Sequence, residues 1–421
     1  MITLKPSKVG GSIWIPASKS QTIRALLIAL AARGRSIVRN PLYSADTLSC
    51  IEALRTLGCR LCINDDSIEV DSGTLQCSGR DITIDTGNSG TTTYLLYGLL
   101  GTLGCSSVTL KGDEQLNRRP IGPLVEAYRD LGLEGGCTQG RPPVVITGTL
   151  EGGSTSIECP TSQYLSSLLL SLPLAGGDSE VDIPLLYEKP YVSMTLDWLD
   201  RQGIAYDMRD DLQHLRMKGG QHYHPFDERI SGDFSSASFF LVAAAITGCT
   251  LTLKGLDMDD SQGDKGVIDI LVAMGCSVEC TEEGITVTGG RPLHGGTFDL
   301  NSMPDALPAL SVLGAVTDGP LTLTNVANAR IKETDRIACM TRNLRLLGLE
   351  VDEMEDGLTV HPGPIDGEVT VPGYGDHRMI MAMAVLSLIA HDGLTIDDEK
   401  AADVTFPTFF SLLERVKGGS E

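Results

Sequence analysis

Positive charge is what this chain has little of. Against 55 aspartates and glutamates it carries 33 lysines and arginines, for a formal net charge of −22 and a pI near 4.7. A surface this acidic repels nucleic-acid phosphates and anionic lipid, so neither is expected as a partner, and any anion site must be a local cationic pocket. No apolar run reaches the ~18 residues needed to cross a bilayer. The opening MITLKPSKVGGSIWIPASKS lacks an apolar core of signal-peptide length, so a cytoplasmic location is expected. Walker A, a G-x-G-x-x-G that opens a helix, H-E-x-x-H and the G-x-S-x-G elbow are all missing, which leaves no pointer to a nucleotide, a zinc hydrolase or a serine nucleophile. The eleven cysteines are odd in number and scattered through apolar segments, as buried reduced thiols are. Cys59 and Cys62 have no second pair at zinc spacing, and His222 and His224 have no acidic or cysteine companion, so no metal is expected.

What is present is a repeat. Helical patterns ending in Gly recur at Gly58, Gly132, Gly203, Gly275 and Gly348, and a second series at Gly34, Gly104, Gly177, Gly248, Gly319 and Gly393. Each series steps by 70 to 74 residues. Glycine suits the left-handed residue that ends a helix. Each unit reads as helix, strand, helix and two strands of alternating polarity, and six such units fill the chain. The polar stretch KGGQHYHPF is the weakest seam, which divides the chain into halves of three units.

The first helix of each unit opens on a polar cluster: SKSQTIR, GNSGTTT, TSQYLSS, GDFSSAS, MPDALPA and GDHRMIM. Capping alone explains the hydroxyls and Asp residues. It does not explain Lys19, Arg24, Gln163, His377 and Arg378, which add donors and positive charge where the helix dipole is already positive. If these first helices point inward, their N-termini converge on an anion site between the halves. Arg118 and Arg119 precede Pro120, read as the first residue of a helix. Lys332 and Arg336 are spaced to share a helical face. Asp305 and Glu333 stand among these cations, and a carboxylate beside an anion site is unfavourable unless it is needed to move protons.

These residues resemble the enolpyruvyl transferase family over the whole chain. The matching motifs are P-x-S-K-S-x-x-x-R from Pro16, G-N-S-G-T from Gly87, R-P-I-G from Arg119, S-Q-Y from Ser162, K-P-Y from Lys189, P-D-A from Pro304, K-E-T-D-R from Lys332 and D-H-R-M from Asp376. The resemblance implies an α/β fold of two inverse α/β-barrel domains, each of three βαβαββ-type units. Their limits are expected at 15–226 for the first and at 1–14 with 227–421 for the second, the N-terminal strand returning to the second domain. It implies an active site in the cleft between them. The implied reaction moves the enolpyruvyl group of phosphoenolpyruvate to the 5-hydroxyl of 3-phosphoshikimate, in a monomer, without metal or organic cofactor. Carried over by position, Lys19 touches both substrates, and Ser20 and Arg24 hold the shikimate carboxylate. Thr161, Ser162, Gln163 and Lys332 surround its phosphate, and Tyr191 and Asn328 support it. Gly90, Arg119, Arg336 and Arg378 line the phosphoenolpyruvate site. Asp305 is the implied base and also binds substrate, Glu333 is the group that exchanges protons with the methylene carbon, and Lys19 is counted with them as catalytic.

Three positions depart from the family pattern. Val404 stands where a lysine is usual, with Lys400 the nearest cation before it; Tyr94 replaces an arginine, and Glu188 a serine. These departures keep open a catalytically weak paralogue that only binds phosphorylated ligands. The sister transferase acting on UDP-N-acetylglucosamine is the other alternative, although GDEQLNRRP lacks the cysteine typical there and the S-K-S and S-Q pairs favour phosphoshikimate.

Overall fold

Among the described residues, six helices are apolar on nearly every side, three in each of two units. The computed structural model describes residues 1–73, 75, 77, 79–290, 292–367 and 369–418. Its helices come in pairs, one pair per repeat: α1 (Lys19–Ala31) and α2 (Ala45–Leu57), α3 (Gly90–Leu100) and α4 (Gly122–Asp130), α5 (Ser162–Ser171) and α6 (Lys189–Arg201), α7 (Phe234–Thr247) and α8 (Val267–Ala273), α9 (Leu307–Ser311) and α10 (Arg336–Leu346), α11 (His377–Leu386) and α12 (Phe409–Val416). Every residue of α3, α7 and α11 is buried, and α1 is buried from Gln21 onward. A helix hydrophobic all round belongs at the centre of its unit. The even-numbered helices are amphipathic: α6 buries Val192, Met194, Thr195, Trp198 and Leu199, a single face at helical spacing. Left-handed glycines end several helices, Gly58 after α2 and Gly248 after α7 among them.

Among the described residues, five of the six small sheets share one topology. A parallel pair comes first, and two antiparallel strands extend it, as in Asp81–Asp85 with Ser107–Lys111, then Arg141–Gly148, then Leu133–Thr138. Ile82 and Ile84 face inward while Asp81, Thr83 and Asp85 are exposed, the alternation of a half-buried strand. The last sheet has three strands.

The chain divides into two compact units, Ala17–Ile230 and Met1–Pro16 with Ser231–Glu421. Each has its own hydrophobic core. Two strands account for these limits. Ser12–Trp14 leads into α1 but pairs in parallel with Thr250–Lys254, and Asp227–Arg229 leads into α7 but pairs in parallel with Arg35–Arg39. Ile2–Leu4 completes the last sheet against Leu394–Ile396. The Asp227–Arg229 strand therefore belongs to the unit before it, held further by Arg39 bonding both carboxylate oxygens of Asp227 at 2.5 and 2.6 Å. Among the described residues, no helix is long and apolar enough to cross a membrane. All eleven cysteines are free; burial pushes the Cys59 thiol up to about 12, while Cys62 is exposed.

Candidate active site

Five of the six inner helices are capped by the side chains that the polar clusters supply. Ser18, Ser89, Thr161, Asp233 and Asp376 accept from the backbone N–H of Gln21, Thr92, Gln163, Ser235 and Arg378 at 2.9–3.4 Å. The exception is α9, entered through a 3-10 turn at Pro304–Ala306 that carries Asp305. No inner helix has an acidic residue in its own first turn except this turn's Asp305.

In the unit Ala17–Ile230, Lys19 opens α1 and its Nζ lies 3.1 Å from Asp46 Oδ2, in the first turn of α2. Both side chains are largely buried, at 14% and 5% exposure. Asp46 was not among the expected site residues; the signal for it is an acid in the first turn of a second helix, which reads as ordinary dipole matching. Arg24 is buried and knits three helices together. Its guanidinium donates to Thr195 Oγ1 (2.8 Å), Ser166 Oγ (3.4 Å) and the carbonyls of Ser20 (3.0 Å) and Tyr191 (2.8 Å).

Gly90, the first residue of α3, lies under Arg119. A Cβ at Gly90 would meet Arg119 Nη1 at 2.7 Å, Tyr94 Cε2 at 3.4 Å and Gln163 Oε1 at 3.7 Å. Arg119 Nη2 donates to Asn88 Oδ1 at 2.8 Å, and Gln163 Nε2 to Thr91 Oγ1 at 3.1 Å. The expected helix start at Pro120 is corrected: α4 begins at Gly122, and Ile121 has φ −136°. Pro120 is instead a fixed point, because its carbonyl accepts from Tyr94 at 2.9 Å and Tyr164 at 2.7 Å. Tyr94 thus replaces an arginine's charge with a clamp on the residue next to Arg119. Tyr94→Phe should cost about 0.5–1.5 kcal/mol, the usual value of one such bond, read as a lowered urea midpoint. Arg118 is exposed, paired with Glu114.

Ser162 and Glu188 form the third cluster. The Glu188 Oε2 accepts from the Ser162 N–H (3.0 Å), Ser162 Oγ (2.7 Å) and Thr161 Oγ1 (3.4 Å), at the mouth of α5. Tyr191 follows in the first turn of α6.

In the other unit the charges crowd more closely. Arg336 is 1% exposed and reaches Asp305 Oδ1 (2.8 Å), Glu333 Oε2 (2.5 Å) and Asp376 Oδ2 (2.9 Å). Arg378 reaches Asp305 Oδ2 at 2.8 Å, so that carboxylate bridges two guanidiniums. Burial raises the Asp305 carboxyl, but Arg378, Arg336 and Lys332 outweigh it and hold the group well below the usual carboxylate range. Asp376 is likewise held low, chiefly by Arg336 acting against burial. His377 is buried with no hydrogen-bond partner on either ring nitrogen among the described residues, and burial pulls it down to about 3. Asn328 is buried in the short turn Ala327–Ile331.

Lys332 and Arg336 do not share a helical face. Lys332 is extended (φ −81°, ψ −150°), and α10 starts at Arg336 because Asp335 caps it, accepting from the Ala338 N–H at 3.0 Å. The T-D-R stretch is itself a cap signature, and it stops the helix short of Lys332. Asp376 was also missed, since an N-cap Asp explains itself; here it serves Arg336 as well as its helix. Val404 ends a 3-10 turn, Glu399–Val404, and Lys400 is exposed.

Comparison with known proteins gives one answer. The family model for EPSP synthase (3-phosphoshikimate 1-carboxyvinyltransferase) matches residues 4–413. The 3-phosphoshikimate 1-carboxyvinyltransferase of Acetivibrio thermocellus is 44% identical over 420 residues, covering 99% of this chain and 98% of the relative. That of Methanocella arvoryzae is 38% identical, covering 98% of each. Among solved structures, EPSP synthase from Acinetobacter baumannii superposes with a TM-score of 0.81 at 26% identity, over 99% of this chain and 97% of that one.

Proposed function

Since this chain belongs to the EPSP synthase (3-phosphoshikimate 1-carboxyvinyltransferase) family, we propose that it transfers the enolpyruvyl group of phosphoenolpyruvate to the 5-hydroxyl of 3-phosphoshikimate and releases phosphate. The observation that carries the reading at residue level is the Asp305 carboxylate bridged by Arg336 and Arg378, with Glu333 on the same arginine. Two carboxylates and two guanidiniums in contact are what a proton-transferring site for an anionic substrate needs.

In this reading Glu333 protonates the methylene carbon of phosphoenolpyruvate, and Asp305 takes the proton of the attacking hydroxyl. An oxygen–carbon bond forms, giving a tetrahedral intermediate. Phosphate then leaves as its C–O bond breaks, and the new methyl group returns a proton. Asp305 as it stands is too weak a base, because two arginines stabilise its charge. Phosphoenolpyruvate brings a phosphate and a carboxylate that compete for Arg336 and Arg378, and engaging them raises the basicity of Asp305. The base is thus switched on by the substrate it serves.

The unit Ala17–Ile230 supplies most of the remaining groups, and Asn328 and Lys332 come from the unit that holds Asp305. Thr161, Ser162 and Gln163 at the mouth of α5, with Lys332, take the phosphate of 3-phosphoshikimate. Ser20 takes its carboxylate, supported by Arg24, which holds the Ser20 carbonyl; Tyr191 and Asn328 complete that subsite. Lys19 serves both substrates, exchanging Asp46 for them. Gly90 and Arg119 belong to the phosphoenolpyruvate side. Gly90→Ala should therefore raise the KM for phosphoenolpyruvate by about tenfold or more, as displaced positioning groups do, because its Cβ drives Arg119 aside. An unchanged KM in steady-state kinetics would remove Arg119 from that subsite. We read the enzyme as a cytoplasmic monomer, which sedimentation can check.

Phosphate release tests the function. Phosphoenolpyruvate with 3-phosphoshikimate should yield one phosphate per acceptor consumed. Turnover with UDP-N-acetylglucosamine instead, or binding without turnover, overturns the reading.

A further inference from the structure

We propose that Glu188 is a built-in rival of the substrate phosphate and sets the selectivity of its subsite against free inorganic phosphate, itself a product of the reaction. The inference rests on the acceptor reading above, which gives the mouth of α5 to the phosphate of 3-phosphoshikimate.

Glu188 lies between the strand Ser179–Leu186 and α6. Its backbone is left-handed (φ 58°, ψ 42°), a conformation that costs a residue with a Cβ about 1 kcal/mol or more and persists only where the surroundings demand it. The side chain is 2% exposed. The strained backbone aims one carboxylate oxygen at the α5 N-terminus, where it takes the Ser162 N–H and the hydroxyls of Ser162 and Thr161. Those are the donors that the reading assigns to the phosphate. α5 has no acidic residue in its own first turn, so the anion it holds comes from another segment.

Two anions cannot share these donors. A phosphate oxygen within hydrogen-bond distance of the Ser162 N–H would lie against the Glu188 carboxylate, with strong repulsion in a buried setting. Binding is therefore an exchange, phosphate in and carboxylate out. A small anion has only the phosphate contacts with which to drive that exchange. The full acceptor also has its carboxylate and ring hydroxyls, anchored elsewhere. Glu188 thus caps α5 in the free enzyme and keeps the subsite from filling with a ligand that lacks the ring.

The test uses full-length protein carrying Glu188→Ser and, in case that variant folds poorly, Glu188→Gln. Inorganic phosphate is the probe, titrated by calorimetry and as a competitive inhibitor against 3-phosphoshikimate. Loss of the rival charge should tighten phosphate binding about tenfold or more in both variants, a step of about 1.4 kcal/mol. The Tm of Glu188→Ser should fall without anion and recover with millimolar phosphate, a recovery that a merely structural glutamate does not produce. Phosphate affinity unchanged or weaker in both variants overturns the proposal. Turnover of the unaltered enzyme is scored separately: if it fails on 3-phosphoshikimate while phosphate tightens on the variants, the acceptor reading falls and the rivalry stands.

Discussion

Asp305→Asn is expected to lower kcat about a thousandfold, within the range seen on loss of a positioned general base, while binding of 3-phosphoshikimate stays within about fivefold of the unaltered protein, less than 1 kcal/mol. The variant is nearly isosteric and keeps an oxygen for one arginine, so a collapse of the site does not account for the loss. The proposed mechanism places the asymmetry, because in it Asp305 receives a proton only as the hydroxyl attacks. Rapid-quench or steady-state kinetics beside calorimetric binding separates the two quantities. A variant with full activity would take the base role from Asp305, and one that no longer binds the acceptor would make it a binding residue.

Arg336→Met is the second large effect, and it falls on stability as well as activity. Arg336 is 1% exposed and is the shared cation of Asp305, Glu333 and Asp376. Removing one partner of a buried ion pair costs about 3–5 kcal/mol, and here three carboxylates lose the same partner. Asp376 suffers most, being fully buried, whereas Asp305 keeps Arg378. The sign of the pH dependence follows. In the unaltered protein Asp305 and Asp376 have depressed folded-state values, so their stabilisation is present above the ordinary carboxylate pKa of about 3.9 and is lost as pH falls through the lowered values. In the variant, burial and mutual repulsion act without their counterweight and raise the carboxyls. Protonation then relieves the strain, so the stability gap should narrow from pH 7 toward pH 5. Denaturant unfolding at the two pH values reads it directly, and a gap independent of pH would mean that Arg336 stabilises by packing alone.

The repeat and its caps were legible because they are local. Gly58 and Gly248 end helices where the spacing puts them, and Ser18, Ser89, Thr161, Asp233 and Asp376 cap the helices their clusters open. What escaped was decided at a distance. Ser12–Trp14 and Asp227–Arg229 pair outside the repeats they lead into; the family resemblance implies the first crossing, the periodicity shows neither, and nothing in a strand of three residues announces its partner. Lys332 and Arg336 looked like helical neighbours by spacing, but the cap at Asp335 intervenes. Asp46, Asp376 and Glu188 read singly as a dipole match, an N-cap and a departure from pattern. Only their distances to Lys19, Arg336 and Ser162 make them the anions that hold the site's cations and donors before any substrate arrives.

The central claim is addition followed by elimination at the methylene carbon, and the product formed in D2O tests it most directly. Protonation makes a methyl group that contains one solvent hydrogen, and the return step removes one of three, so the enolpyruvyl ether on the 5-oxygen should carry deuterium in its vinyl methylene, seen by NMR and mass spectrometry. An enolpyruvyl product free of deuterium, or phosphate released with no new ether, would contradict the account.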